Sequence, residues 1–401
     1  MMTEFRVCPV CGSKLATAFL FRGDVPVHQN LVMIDELSAR TMPRGDLDLA
    51  VCEECGFIFN RVFSLEKIMY GEDYDNTQSC SPVFDKYLND LVRHMVLERD
   101  VRDRRIVEVG CGKGVFLRKL VEFEGAGNTG YGFDPSYIGE EVALNNRLNF
   151  ERRYYDSSCT NVPADVIVCR HVIEHVPAPL ELLHSIKLAL VNSPTARIFF
   201  ETPCVEWILR NHVIWDFFYE HCSYFTAQSL ATAFQRAGFE VESVEHVFGG
   251  QYLWLEATVS PAGAESDVLM EPRAVPALAR EFARREEELK LLWTGLIRDL
   301  SARETIALWG AGAKGVTFAN LVDPDKRWIN CVVDLNPQKQ GHYIPGTGHP
   351  IIGYPELASR GVTAAILMNP NYLDENMALL KESGQKVRLI HESSQLASII
   401  G

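Results

Sequence analysis

Twice along this chain an apolar run of strand length breaks at spaced glycines and continues as a helix. The first is Ile106-Val107-Glu108-Val109-Gly110-Cys111-Gly112-Lys113-Gly114-Val115. The second is Thr305-Ile306-Ala307-Leu308-Trp309-Gly310-Ala311-Gly312-Ala313-Lys314-Gly315. Each is followed by a strand ending in an acid, Asp134 or Asp334, 24 residues past the first glycine in both cases (134 − 110 and 334 − 310). Parallel strands cannot be joined by tight turns and need crossover helices, so two such starts predict an α/β protein with two parallel sheets.

A chain of 401 residues has room for two or three domains. Apolar residues at 47% and charged residues at 23% predict globular cores rather than disorder. The net charge of −14 repels phosphate backbones and anionic lipid, so nucleic acid is not an expected partner. No apolar run approaches the ~18 residues of a membrane span. Met1-Met2-Thr3-Glu4-Phe5-Arg6 has no apolar signal core, so a cytoplasmic protein with a small-molecule substrate is expected. Its oligomeric state is open. Residues 1–62 carry short strand-like runs, 63–260 the first alternating pattern, 261–300 a turn-rich connector and linker helix, and 301–401 the second alternating pattern. The charged helix over 273–300, with Phe282, Leu289, Trp293 and Leu296 near helical spacing, reads as a solvated strut.

Eleven cysteines, an odd number, argue against a disulfide framework. Four of them form two knuckles, Cys8-Pro9-Val10-Cys11-Gly12 and Cys52-Glu53-Glu54-Cys55-Gly56. The two-residue spacer lets both sulfurs of a turn face one ion, and the glycine relieves crowding behind it. Four thiolates suit a closed, structural Zn²⁺ site, with an inserted subdomain between the knuckles.

In the first glycine loop, Glu108 stands two residues before Gly110. A carboxylate there accepts from an ammonium group or a backbone amide and repels a pyrophosphate. Asp134, at the end of the next strand, is placed to meet ribose hydroxyls. The bare glycine spacing would also suit a nicotinamide loop. The whole set resembles the first motif of the class I S-adenosylmethionine-dependent methyltransferases. That resemblance implies that Glu108, Gly110, Gly112 and Gly114 serve the methionine portion and Asp134 the ribose, with Tyr155-Asp156 beside the adenine. The next strand, Ala164–Cys169, leads into Arg170-His171-Val172-Ile173-Glu174-His175-Val176, which is similar to the same family at the mouth of the pocket.

After a fifth strand, Ile198–Pro203, comes Trp215-Asp216-Phe217-Phe218-Tyr219-Glu220-His221-Cys222-Ser223-Tyr224-Phe225-Thr226, dense in groups that bind or deprotonate an acceptor. Methyl transfer is an in-line displacement, so the enzyme aligns the nucleophile and removes its proton. His221 is the first candidate base, with Glu220 orienting it or acting in its place, and His175 is the second. Tyr219 or Tyr224 is a candidate donor to an enolate oxygen. The alternative is that this segment only packs a helix. His171, His184 and His212 read as structural.

The second loop offers helix N-terminal amides, Gly312 and the Lys314 cation to an anion. NAD, the phosphate of a nucleotide-linked substrate, and an empty relic all fit it. Lys339-Gln340-Gly341 and Pro345-Gly346-Thr347 follow. Together with the knuckles and the first loop, these motifs resemble the three-part deoxysugar C-methyltransferases of antibiotic pathways. Those enzymes have an N-terminal zinc-binding domain, a central methyltransferase domain and a C-terminal Rossmann-like domain. The resemblance implies S-adenosylmethionine and structural zinc as cofactors. It also implies a nucleotide-linked keto sugar as acceptor, with Lys314 and Gly312 binding it. His175, Tyr219, Glu220, His221 and Tyr74 would handle the proton. The chain departs from that family over Arg22–Asn30, which puts the acceptor's identity in doubt. N- or O-methylation of another acceptor, a nucleotide-binding regulator and a dehydrogenase using the 310–315 loop are the alternatives.

Overall fold

The computed structural model describes residues 7–68, 80–260 and 274–391. Its largest element is an eight-stranded sheet with strand order Phe239–Val247, Tyr252–Val259, Arg197–Pro203, Val166–Arg170, Arg105–Val109, Thr129–Phe133, Leu148–Glu151, Val142–Ala143. The five central strands run parallel; Tyr252–Val259 pairs antiparallel with Arg197–Pro203, and Phe239–Val247 pairs antiparallel with Tyr252–Val259 at the edge. The strand order reverses between Arg105–Val109 and Val166–Arg170. A crevice opens at such a switch point, at the carboxyl ends of the strands, and there the first glycine loop lies.

The expected second parallel sheet is present. Its five strands run Ile351–Ile352, Ile329–Val333, Thr305–Trp309, Val362–Leu367, Arg388–Ile390, all parallel. The switch point falls beside Thr305–Trp309, the strand that feeds the second glycine loop.

The N-terminal unit is a four-stranded antiparallel sheet of Ala16–Pro26, Arg44–Cys52, Ile58–Asn60 and Ser223–Tyr224. Its fourth strand comes from the segment that carries His221. The insert between the first two strands docks on the C-terminal sheet, where Met33 and Tyr343 exchange backbone hydrogen bonds and Gly346 N donates to Ala39 O. The Lys339–Thr347 segment is therefore a docking loop between the N- and C-terminal units.

The helix Ala274–Ser301 is not the solvated strut expected from its charge. Pro276, Ala279, Phe282, Leu289, Trp293 and Ile297 are buried. They share one apolar core with Leu20, Leu47 and Leu49 of the N-terminal sheet, Ile208 and Phe217 of the central unit, and Ile306 and Phe318 of the C-terminal unit. The charges fall on the opposite face, so the helix is amphipathic and spends its apolar stripe on all three units. Trp215, Trp293 and Phe318 form an edge-to-face trio with centroids 5.2–5.6 Å apart. Such pairs add about 0.5–1.5 kcal/mol each beyond area burial. Among the described residues no helix is long and apolar enough to cross a membrane. Trp293→Ala is expected to lower unfolding stability by about 3–5 kcal/mol in urea; a loss under ~1 kcal/mol would show that this trio does not hold the units together.

Candidate active site

The two glycine loops fold to the same plan. Gly110 N donates to Phe133 O at 2.8 Å and Gly112 N to Asp134 Oδ2 at 2.8 Å. In the second loop Gly310 N donates to Val333 O at 2.8 Å and Ala311 N to Asp334 Oδ2 at 2.8 Å. In both, the acid closing the second strand locks the turn while keeping lone pairs for a ligand. The glycines of the first loop divide by role. A Cβ on Gly110 would lie 2.2 Å from Val172 and one on Gly114 2.5 Å from Phe150, and both have positive φ. Gly112 meets nothing within 4 Å, so its backbone is open to the cleft.

Glu108 is buried under this loop, accepts from Leu117 N at 3.1 Å, and borders the donor-side cleft with Asp134, Tyr154, Tyr155, Arg170 and His171. Burial, opposed by Arg170 and the Leu117 amide, pushes its carboxyl up to about 8. Among the described residues Tyr155 Oη is buried without a hydrogen-bond partner, and its ring sits edge-on to Phe133 at 5.1 Å. Asp156 instead caps the turn after it, accepting from Ser158 N at 2.8 Å. An exposed loop backbone, a buried acid, an acid at a strand end and a buried hydroxyl together fit a ribosylated sulfonium amino acid.

The acceptor-side cleft runs from His171, Glu174 and His221 to the second loop at Gly312, Lys314, Asp334 and Lys339. Lys314 Nζ lies 2.8 Å from Asp216 Oδ2 and donates to Gln251 Oε1 at 3.2 Å, so it stands in this cleft in an ion pair. Gly312 precedes the helix Ala313–Val322. The buried Lys339 donates to Ala311 O at 3.2 Å. Asn30, from the departing N-terminal segment, also lines the cleft.

The two clefts meet at histidines. His171 borders both, His175 the donor side and His221 the acceptor side. The His175 and His221 rings are 4.7 Å apart and nearly perpendicular. Burial, and then the neighbouring His175, His171 and Lys314, hold His221 well below the ordinary imidazole range, so it is neutral at pH 7 and able to accept a proton. His175 Nδ1 lies 3.0 Å from Glu220 O. His171, which the sequence suggested was structural, is the hub: Nδ1 is 3.2 Å from Glu174 Oε1, and Nε2 is 2.6 Å from Glu201 Oε1, off the line of a hydrogen bond. Burial works against its charge, but the two carboxylates raise it to about 9. Glu201 also takes Arg170 at 2.9 Å and Tyr87 Oη at 2.7 Å. Glu174, His171 and Glu201 lacked a sequence signal beyond the His-x-x-Glu-His spacing, because Glu201 reaches them only through strand pairing.

Three expectations need correction. Glu220 does not orient His221: its buried carboxylate turns away to His28 Nδ1 at 3.1 Å and Gln29 N at 2.9 Å. Tyr219 is buried with its Oη on Ser64 N at 3.0 Å, packed against Phe63. Tyr224 Oη is closed on the backbone of Phe218, accepting from its N and donating to its O, both at 3.1 Å. Neither tyrosine reaches the cleft; Phe218 lines it instead. Tyr74 lies outside the described residues.

The four knuckle sulfurs, of Cys8, Cys11, Cys52 and Cys55, come together within 4.8 Å of one another. Cys8 and Cys55 are 3.6 Å apart and Cys11 and Cys52 3.4 Å. A tetrahedron with ~2.3 Å zinc–sulfur bonds has edges of about 3.8 Å. The thiols thus stand at nearly the spacing a zinc ion requires. Gly12 and Gly56 turn back at φ +73 and +72, each donating to the carbonyl of its knuckle's first cysteine.

A family described as "Methyltransferase domain" matches residues 84–244, and one described as "C-methyltransferase C-terminal domain" matches 273–390. The chain is 26% identical to the C-methyltransferase NovU of Streptomyces niveus, over 96% of this chain and 95% of that one. It is 29% identical to a ubiquinone biosynthesis O-methyltransferase of Yersinia enterocolitica over 32% of this chain, about half (53%) of that relative's length. The solved Burkholderia thailandensis 1,6-didemethyltoxoflavin-N1-methyltransferase shares 14% identity over 45% of this chain and 82% of that one, with a TM-score of 0.34. The chain is an S-adenosylmethionine-dependent methyltransferase with a class I sheet. The two family matches fall on its central and C-terminal units, and its full-length likeness is to a protein named as a C-methyltransferase.

At pH 7 the free protein lies below the raised Glu108 value, so this carboxyl holds its proton. A cation beside it lowers that value, and the proton leaves. Calorimetry of S-adenosylmethionine binding in buffers of different ionisation enthalpy is expected to show proton release at pH 7 that is absent in Glu108→Gln; an equal signal in both would refute the assignment.

Proposed function

We propose that this chain methylates a carbon next to the ketone of a nucleotide-linked sugar in natural-product biosynthesis. The observation that carries this reading is the meeting of two clefts, one at each glycine loop, at a half-buried imidazole whose neutral form is favoured. The full-length likeness to a protein named as a C-methyltransferase supports it. In this reading residues 1–62 carry the metal, 63–260 bind the methyl donor, 261–300 tie the units together, and 301–401 receive the nucleotide end of the acceptor.

S-adenosylmethionine supplies a methyl group already activated by its sulfonium charge. The chain's own residues do the rest. The open backbone at Gly112, within the turn set by Gly110 and Gly114, and the Glu108 carboxyl hold the methionine end, while Asp134 accepts from the ribose. Gly312 and the following helix amides, with Lys314 leaving Asp216 for a phosphate, anchor the acceptor. The sugar then lies across the histidine junction. His221 removes the proton beside the ketone, with His175 packed against it, and the resulting carbanion faces the donor cleft. Walls formed by Phe218, Tyr252 and Trp309 keep water from the carbanion.

Labelled donor incubated with dTDP- and GDP-linked 4-keto sugars is expected to label a ring carbon, located by NMR of the product. Label on oxygen or nitrogen, or none on any keto sugar, would defeat the proposal. His221→Ala is expected to lower kcat by about 10²–10⁴ with donor binding intact. We also expect one zinc per chain by elemental analysis, lost in Cys52→Ser together with a lower melting temperature; a metal-free wild-type protein of full stability would rule the zinc site out.

A further inference from the structure

The junction needs an anion to receive the charge that the base takes up, and Glu220 cannot supply it. We propose that Glu174 is the positioning carboxylate of the acceptor-side base, and that His171, held between Glu174 and Glu201, ties it to the donor cleft. This inference rests on the function proposed above and adds a residue to it.

The geometry is specific. Glu174 is 1% exposed and lies on the short turn Ile173–His175, which also carries His175, just after His171. A carboxylate oxygen of Glu174 and one ring nitrogen each of His175 and His221 lie within 4.8 Å of one another. The carboxylate is fixed on its far side by Thr202 Oγ1 at 3.1 Å and by His171 Nδ1 at 3.2 Å. The backbone closes the assembly: Glu174 O accepts from Cys222 N at 3.0 Å, one residue past His221, and Glu220 O, one residue before it, meets His175 Nδ1. The two turns therefore grip each other, with the Glu174 carboxylate beside the packed pair of imidazoles.

The charged and titratable groups around this cluster are few. Arg170 and Glu201 close it below, with Tyr87 on Glu201. Tyr252 stands edge-on to His171 at 4.7 Å, Tyr224 lies 6.0 Å from the His221 ring, and Cys222 Sγ reaches Glu174 O. Lys314 faces it from the C-terminal helix, paired with Asp216. Glu174 and Glu201 carry two negative charges, and His171 and Arg170 two positive. The resting cluster is balanced with His221 neutral. A proton on His221 is an added positive charge, and Glu174 is the carboxylate beside it. Buried opposite charges at this separation are strongly coupled.

The test compares Glu174→Gln, Glu174→Asp and Glu220→Gln with wild type, using S-adenosylmethionine and a dTDP-linked 4-keto-6-deoxy sugar as probe acceptor. Glu174→Gln is expected to lower kcat about 10- to 100-fold at unchanged donor affinity. It should move the acid limb of the kcat profile down by ~0.5 pH or more, since the imidazolium has lost its anion. Glu174→Asp keeps the charge and should restore the limb, while Glu220→Gln should leave it in place. A wild-type limb in Glu174→Gln, or a shift in Glu220→Gln alone, overturns the assignment. If no keto sugar is methylated, the proposed function fails by itself. Imidazole NMR titration of the S-adenosylhomocysteine complex then still decides for Glu174, which must lower the His175 or His221 midpoint when neutralised; unchanged midpoints overturn it.

Discussion

A two-residue strand holds the segment that carries His221 in place. Ser223 and Tyr224 pair with Phe59 and Ile58 as the last strand of the N-terminal sheet. Asn60 N donates to Cys222 O at 2.9 Å just before that strand, and Cys222 N donates to Glu174 O on the other side. The segment bearing His221 is therefore stretched between the cysteine-knuckle sheet and the carboxyl edge of the methyltransferase sheet. Arg22 strengthens the joint, donating to Ile214 O, Phe217 O and Glu286 Oε1 at 2.6–2.9 Å. In this arrangement the N-terminal unit helps set the position of His221.

Much of the architecture was legible because it is written in local chemistry. Glycines with positive φ and acids at strand ends announce parallel sheets, and the structure reproduces both units in matching detail. The cysteine spacing likewise marks a cluster that closes to sulfur–sulfur contact. The site was only half legible. The sequence brings forward His221 and His175, which the structure packs against each other where the two clefts meet. Glu220 was misread because adjacency in sequence does not imply a shared direction; the chain turns at residue 220, and its carboxylate is drawn to His28 and the Gln29 amide. Tyr219 and Tyr224 were misread because their hydroxyls satisfy backbone groups that would otherwise be buried and unpaired. His171 and Glu201 belong to neighbouring strand ends, Val166–Arg170 and Arg197–Pro203, and only the sheet brings them together.

The electrostatics of the junction follow from burial. Four ionised groups sit in a region nearly closed to solvent, and isolated charges there would be prohibitively costly. Their alternation, with Arg170 and His171 set against Glu201 and Glu174, makes them tolerable. Glu201 shows the balance: burial raises its carboxyl, but Arg170 and His171 more than reverse this and bring it down to about 2. His221 and His171 are thus driven to opposite protonation states within one cleft, the condition under which two chemically identical side chains can take different parts in a reaction.

The long helix Ala274–Ser301 also bears on how the molecule can be taken apart. Its apolar stripe is the common cover for surfaces contributed by the N-terminal sheet, the central unit and the C-terminal sheet. A fragment ending before residue 274 would leave Leu20, Leu49, Ile208 and Phe217 wet, and one beginning after 301 would strip Ile306 and Phe318. The three units are thus distinct in topology yet share one apolar core, so that none can be cut away without bringing the others' apolar side chains into water.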